Sequence, residues 1–262
     1  MNRYIIILFA LIASCDTSES NKLNKKEYEI FGVTDFKTVS SPVCVWLNGE
    51  PVFNLVKTST FPRISNTYPI KNGENHVKIT SLTSDMIADV TIPQESFFYS
   101  NAAEENFIKL TKSSDNVFFE GTFRGAKNYD LNGDIKRIDA NEETQKHAIK
   151  WTIKYLELLR DKKKDALPNL FGKDIEKADS AEHMKDFFLE STVCLNIVKV
   201  DEIIACKGKS NILICSNDKL AEWKMGATNR RIDNFLFCST TDGIYLRVNG
   251  GEWIKTKLPE EE

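Results

Sequence analysis

The most regular pattern in this sequence is Glu142–Arg160, which reads EETQKHAIKWTIKYLELLR. Its apolar side chains recur at the spacing of one face of an α-helix. The positions near that face are Ile149, Ile153, Leu156 and Leu159, and Trp151, Tyr155 and Leu158 widen it. We therefore expect an amphipathic helix of about five turns. Asp139 and Glu142 stand at capping-box spacing at its start, with Asn141 as a competing N-cap.

After this helix the pattern predicts a shorter helix, capped by Asp179 or Ser180 and ending at Leu189, and then a series of strands. The predicted strands are Val193–Val200, Glu202–Cys206, Asn211–Cys215, Ile232–Ser239, Gly243–Val248 and Glu252–Thr256. Helices followed by an antiparallel meander indicate an α+β domain. Over about residues 140–258 this order of elements resembles the NTF2-like superfamily of cone-shaped α+β proteins. The resemblance implies a cone, and such cones serve as enzymes, binding cups or adaptors.

From Tyr28 to about Thr122 the sequence has short apolar-alternating runs separated by turn residues. Asn48-Gly49 lies between two runs and Asn72-Gly73 precedes another, and Asn-Gly is a strong hairpin signal. The phrase TYPIKNGENHVKI resembles a closing hairpin of Ig-like extracytoplasmic modules. The predicted class is α+β overall, with an N-terminal antiparallel β-sandwich followed by an α+β domain of helices packed on an antiparallel sheet.

The first residues are typical of a secretory signal. Met1–Ser14 reads MNRYIIILFALIAS, in which Arg3 precedes an apolar run too short to span a bilayer. The stretch Leu11-Ile12-Ala13-Ser14-Cys15 resembles the lipobox of bacterial lipoproteins. That resemblance implies cleavage before Cys15 and acylation of Cys15, with palmitate or a similar chain, as a stable membrane anchor. The alternative is a plain signal peptide with an incidental cysteine.

Two further features refine the expected location and the domain limits. Asp16 resembles the signal that retains lipoproteins of enteric bacteria in the inner membrane, which favours the periplasmic side of that membrane. Thr17–Lys26 has almost no apolar residue and is typical of a flexible tether. The predicted segments are a signal peptide at 1–14, the lipidated cysteine and tether at 15–26, the Ig-like sandwich at 27–125, an interdomain turn at 126–141 and the α+β domain at 142–262.

Charge and composition argue against several classes of protein. The chain has 262 residues, with 35 Lys and Arg against 38 Asp and Glu, which gives a net charge of −3. Nucleic-acid-binding domains usually carry a basic excess, so we expect no nucleic-acid partner. The composition of this chain also differs from that of low-complexity, collagen-like, coiled-coil and multi-span membrane proteins, which excludes those classes.

The sequence contains no convincing metal site. The histidines, His76, His147 and His183, have no ligand spacing between them, which argues against the usual zinc sites. A weak candidate calcium loop consists of Asp130, Asn132, Asp134 and Asp139, whose side-chain oxygens are of the kind that Ca²⁺ prefers. Because Ile135 occupies the position of the sharp-turn glycine, we favour an interdomain turn followed by a helix cap. No cofactor is expected.

No catalytic motif surrounds any nucleophile, and five cysteines remain beside Cys15. These are Cys44, Cys194, Cys206, Cys215 and Cys238. Their number is odd, so at least one is free or pairs between chains, and one bridge among the last four is consistent with the sequence. A turn centred on Gly208 places Cys206 opposite about Asn211, which argues against a Cys206–Cys215 bridge. The pairing stays open.

Aromatic residues supply the remaining site candidates. Phe97, Phe98 and Tyr99 are contiguous, so a strand would turn at least one of them outward, toward a protein partner or toward the second domain. Trp151, Tyr155 and Trp223 are the candidates for lining a pocket in the C-terminal domain.

These features favour a lipid-anchored cell-envelope protein with a non-catalytic, protein-binding role. Immunity against an effector toxin, or its inhibition, is the first hypothesis to test, because a membrane address and mild acidity suit it. The alternatives are a small-ligand carrier or enzyme with a pocket in the C-terminal domain, and a structural component of an envelope complex.

Overall fold

The computed structural model describes a chain that is mostly β-sheet. The described residues are 42–55, 71–82, 111–112, 118–125, 135–171, 184–185, 187–189, 191–247 and 253–258. About half of them lie in β-strands.

Five strands of the first half form one antiparallel sheet. They are β1 (Val43–Leu47), β2 (Glu50–Leu55), β3 (Gly73–Ser81), β4 (Thr111–Lys112) and β5 (Phe118–Gly125). Their order in the sheet is β2-β1-β3-β5-β4. The β1–β2 connection is the predicted Asn48-Gly49 turn, and its two residues have φ angles of 53° and 83°. A two-residue hairpin of type I′ requires positive φ at both positions, which Asn and Gly tolerate best.

Helix α1 spans Glu142–Arg160, the limits that the apolar period predicts. Its N-cap is Asn141, the competing candidate, whose side-chain oxygen accepts a hydrogen bond from the Thr144 N–H at 2.9 Å. The Thr144 hydroxyl oxygen in turn accepts one from the Asn141 N–H, which completes a capping box. Asp139 therefore does not cap the helix.

Nine strands of the second half form two further sheets. They are β6 (Arg137–Ile138), β7 (Thr192–Ile197), β8 (Ile203–Lys207), β9 (Asn211–Ser216), β10 (Ala221–Met225), β11 (Thr228–Ile232), β12 (Phe235–Thr240), β13 (Gly243–Arg247) and β14 (Ile254–Lys255). The six-stranded sheet has the order β14-β13-β12-β9-β8, and β6 pairs with β12. The three-stranded sheet has the order β11-β10-β7.

The predicted α+β class is wrong, because the described chain is mostly β and several antiparallel sheets replace the expected helices on one sheet. Within the described residues, α1 is the one α-helix of more than two turns. The prediction also missed β10 and β11, since neither contains a continuous apolar run. The side chains of Ala221–Met225 nonetheless alternate: Ala221 and Trp223 are buried, whereas Lys224 is exposed. Such alternation of apolar and polar residues is a sequence signal of a β-strand.

The largest apolar core lies between α1 and one face of the six-stranded sheet. Trp151 and Tyr155 of α1 are fully buried, and their rings meet Phe235 of β12 edge to face at 5.7 and 5.5 Å between centroids. Ile212 and Ile214 of β9 belong to the same cluster. Met184, Phe187 and Phe188, which the prediction assigned to a second helix, are buried in it as well.

The opposite face of the six-stranded sheet packs against the five-stranded sheet. One cluster of buried side chains joins Cys44 of β1 to Leu213 and Cys215 of β9 and Leu236 of β12. Because α1 covers one face and the first sheet covers the other, every residue of β9 and β12 is buried. We call the contact between the two sheets the sheet interface.

Candidate functional site

Several of the predicted site residues lie outside the described residues. They are Cys15, Phe97, Phe98, Tyr99, Asp130, Asn132 and Asp134. From the candidate calcium loop, Asp139 is described, and its exposed carboxylate lies 3.9 Å from the ammonium of Lys209. In the described ranges no three His, Cys, Asp or Glu side chains converge as a metal ion requires.

The three pocket candidates all lie in the large apolar core. Trp151 and Tyr155 are stacked, with 5.4 Å between ring centroids and 8° between ring planes. Trp223 meets Phe187 edge to face at 5.1 Å. All three side chains are fully buried. In this structure they contribute to core packing, and their role in a ligand pocket stays a prediction.

The described surface carries a concentration of exposed apolar side chains around β7. The large apolar side chains that the described residues leave exposed are Ile138, Leu189, Val193, Leu195 and Val200. Four of these five lie on β7 or directly beside it, and we call these four the β7 patch. Val193 and Val200 are each 60% exposed. Single exposed apolar residues are ordinary, and their concentration around one edge strand makes this surface the candidate interaction site.

The position of β7 in its sheet explains why the patch is open. β7 is an edge strand: it pairs with β10 on one side, and no described strand pairs with its other side. Its register shifts next to Leu195, because Cys194 pairs with Trp223 while Asn196 pairs with Glu222. Leu195 is thus the extra residue of a β-bulge. Bulges on edge strands oppose the addition of another strand, so the patch is suited to contact through side chains.

The start of β7 is held in place by the end of α1. Lys162 follows the helix with a φ angle of 56° and directs its ammonium toward Thr192. This ammonium donates hydrogen bonds to the Thr192 carbonyl oxygen at 2.8 Å and to its hydroxyl oxygen at 2.6 Å. The Thr192 hydroxyl donates to the carbonyl oxygen of Leu189 at 2.6 Å. These contacts order the patch before any partner binds, which lowers the entropy cost of docking.

Charged residues border the β7 patch. Lys224 is exposed and is the register partner of Val193 on β10. The Lys199 side chain is 78% exposed and lies 3.9 Å from Glu202. The exposed Asp201 and Glu202 follow Val200, so charges of both signs border the apolar patch, as in the polar rim of protein interfaces.

Comparisons with known proteins add no relative to this picture. No family model, curated protein or solved structure matches the chain. In its described part, the chain has no helix with the length and apolar composition needed to cross a bilayer.

A second feature relevant to chemistry is a row of thiols at the sheet interface. Cys206 of β8 packs against the buried cluster that contains Cys215 of β9 and Cys44 of β1. All three are free, and no disulfide forms among the described cysteines. The sequence-based register was wrong here: Cys206 pairs with Leu213 rather than with Asn211. Cys206 and Cys215 are therefore diagonal neighbours on one face of the sheet, so their thiols meet.

The three thiols differ in their protonation. The neighbouring thiols of Cys215 and Cys44, in that order of effect, lower the pKa of Cys206, because a nearby polar S–H group favours the thiolate. Burial and then the neighbouring Cys206 raise the pKa of the Cys44 thiol, whereas for Cys215 the neighbouring Cys206 raises the pKa more than burial does. Burial also raises the pKa of Cys194, which is half-buried on β7. Cys206 is thus the member of the row that is set up as a thiolate.

Glu50 connects the two sheets next to this row. Its carboxylate accepts hydrogen bonds from the Ser210 N–H and the Ser210 hydroxyl, both at 2.9 Å, and from the Asn211 N–H at 2.9 Å. The β8–β9 turn approaches so closely that a Cβ on Gly208 would overlap the Glu50 carboxylate and the Pro51 ring. Glycine is required at this position for that approach.

Sequence reasoning missed both of these features. The sequence did not predict the exposed face of β7. In VCLNIVKV (193–200) apolar residues occur at both odd and even positions, so the pattern does not indicate which face of the strand is buried. The thiol row joins residues from both halves of the chain, and local pattern contains no information about such a contact. The one available signal was the odd number of cysteines in strand patterns.

Proposed function

We propose that this protein is a lipid-anchored component of the bacterial cell envelope that binds a protein partner and does not catalyse a reaction. Its anchor is the acylated Cys15, on the periplasmic side of the inner membrane. Its binding surface is the β7 patch. An immunity or inhibitor role, in which the partner is a toxic effector, is the first form of this function to test.

The observation that supports the proposal is the distribution of exposed apolar side chains. Leu189, Val193, Leu195 and Val200 are concentrated on one edge strand, and Lys162 orders the start of that strand. An apolar patch with a charged rim favours a folded protein partner, because docking buries the apolar side chains while the rim stays in contact with water.

The experiment is capture of the lipidated chain from gently solubilised membranes, comparing wild type with Val193→Lys. Lys is tolerated on edge strands, so the substitution removes the apolar contact and preserves the sheet. We expect a stoichiometric protein partner with the wild type and its loss with Val193→Lys. Mass spectrometry of the partner then separates an effector toxin from a resident envelope protein.

The matched control is Ile138→Lys, which adds the same charge at an exposed apolar position on β6. Retention of the partner by this variant assigns the contact to the β7 patch. Equal loss from both variants, or capture of the chain alone with and without crosslinking, would overturn the proposal. If the captured protein is a second copy of this chain and Val193→Lys abolishes its capture, the β7 patch mediates self-association and the proposed partner is wrong.

The lipid anchor is tested separately with Cys15→Ser. The lipobox resemblance implies that labelled palmitate enters the wild type and not the variant, and that the variant leaves the membrane fraction. Unchanged membrane association of Cys15→Ser would contradict lipid anchoring without affecting the β7 patch.

A further inference from the structure

We propose that Cys206 is a redox-active thiol that exchanges with disulfides and is resolved by Cys44, so that oxidation joins the five-stranded sheet to the six-stranded sheet. This inference rests on the placement of three free cysteines in one row, and it is independent of the β7 patch and of the lipid anchor.

The first step of the argument is accessibility. Cys44 and Cys215 are fully buried, whereas Cys206 is only half-buried at the margin of the sheet interface. A thiol that meets an oxidant must be reachable from solvent, and one that completes a disulfide must lie behind it. The row has that order, because the half-buried Cys206 packs against the cluster that contains both buried thiols.

The second step is nucleophilicity. The thiolate is the attacking species in thiol–disulfide exchange. Cys206 packs against the buried cluster that contains Cys215 and Cys44, and these two thiols lower its pKa, which favours the thiolate. Cys194 provides the contrast within the same chain, because it is also free and half-buried but has no thiol neighbours among the groups that act on it.

The third step is the choice of resolving thiol. Cys206 and Cys215 are diagonal neighbours in an antiparallel pair, for which Cα atoms are typically about 7–8 Å apart. Disulfides need about 4.4–6.8 Å, so the bridge within the sheet is disfavoured. Cys44 projects from the facing sheet, and a bridge between facing sheets is a geometry that sandwich proteins use. We therefore assign Cys44 as the resolving thiol.

The reaction is balanced with a small-molecule or protein disulfide, RSSR, as the oxidant. The Cys206 thiolate attacks one sulfur of RSSR, so that a Cys206–SR mixed disulfide forms and one RS⁻ leaves. Cys44 then loses its proton and attacks the Cys206 sulfur, which forms the Cys44–Cys206 bond and releases the second RS⁻. The two leaving thiolates take up the two protons, so two protein thiols are oxidised and RSSR is reduced to two RSH.

The test uses the full chain in detergent with oxidised glutathione as the probe. Trypsin cleaves after Lys207 and Lys209, so Cys206 and Cys215 fall in different peptides. We expect Cys206 to react with iodoacetamide at pH 7 about ten-fold faster than Cys194, since it has more thiolate. After oxidised glutathione, we expect a linked peptide containing Cys44 and Cys206 and the loss of two thiols.

Three variants identify the roles of the cysteines. Cys206→Ser should abolish the linked peptide, and Cys44→Ser should accumulate glutathione on Cys206 because the resolving thiol is absent. Cys194→Ser is the control and should behave as the wild type. A Cys206 that reacts no faster than Cys194 in the wild type, or a link that contains Cys215 in place of Cys44, would overturn the proposal. The wild-type measurements decide the matter even where a variant does not fold.

Discussion

The two faces of the six-stranded sheet are built from neighbouring residues of the same strands, yet they pack in different ways. On the helix face, Phe235 and Phe237 of β12 meet the Trp151 ring edge to face, each at 5.7 Å. On the face toward the first sheet, Leu236 and the smaller Cys44 form part of a smaller cluster. Alternation along one strand thus separates an aromatic core from a thiol-containing interface.

This difference indicates a division of roles between the two faces. Large interlocked rings bury much apolar area and have few alternative arrangements, so we expect the helix face to provide most of the stability. The sheet interface is joined by directed polar contacts, including Glu50 on the β8–β9 turn and an Asn234 amide that donates to the Asn54 side-chain oxygen at 2.7 Å. That face holds the two halves of the chain in register.

The largest effect is expected from Trp151→Ala. The side chain is fully buried and its indole N–H donates to the Leu170 carbonyl oxygen at 2.7 Å. Truncation should lower the free energy of unfolding by about 3–5 kcal/mol, measured by urea denaturation. Leu236→Ala, on the other face, should cost about 2–3 kcal/mol. The reverse order would contradict the division of roles.

The next effect is expected from Glu50→Gln, which tests whether directed contacts matter at the sheet interface. The amide cannot accept at both of its ends, so either the Ser210 or the Asn211 N–H loses its acceptor. We expect a loss of about 2 kcal/mol in urea unfolding. Glu74→Gln, on the exposed side of β3, is the control and should change stability by less than about 0.5 kcal/mol. Equal losses of stability in the two variants would show that the Glu50 contacts do not stabilise the sheet interface.

A smaller effect concerns pH and the helix face. Burial lowers the pKa of His147 to about 4, and its Nε2 lies 2.8 Å from the Thr256 hydroxyl oxygen. The unfolded chain binds this proton near pH 6.5, so the stability contributed by the neutral ring is present above that pH and is lost as pH falls toward 4.

The measurement is the free energy of unfolding across that range for wild type and His147→Gln. Gln preserves a hydrogen-bonding group but does not titrate, so the variant should show a flatter profile between pH 6.5 and 4. If His147→Gln loses stability with falling pH as steeply as the wild type, protonation of His147 is not the cause of that loss.

The smallest effect is expected from Tyr155→Phe. The Tyr155 hydroxyl donates to the Met184 carbonyl oxygen at 3.2 Å inside the core. Its removal leaves the stacked ring in place and deprives one buried acceptor of its partner, which should cost about 1 kcal/mol. A loss as large as that of Trp151→Ala would mean that a polar contact, and not ring packing, dominates the helix face.

Local elements of the fold were predictable, while the partnerships among them were not. Residues Glu142–Arg160 form a helix because their apolar period selects one face. The class was wrong because β10 and β11 are short and half-polar, and they become strands only by pairing with each other and with β7. The β7 patch could not be recognised for the same reason, since exposure depends on which strand occupies the edge.

The sequence by itself determined the positions of α1 and the Asn48-Gly49 hairpin, because helical period and tolerance of positive φ are properties of neighbouring residues. Only the tertiary structure decided that Glu50 caps a turn 160 residues away at Ser210 and that Cys206 packs against the cluster of Cys44 and Cys215. Those contacts depend on how two sheets face each other. Their packing is set by the sum of many side-chain contacts, and no single stretch of the chain contains that information.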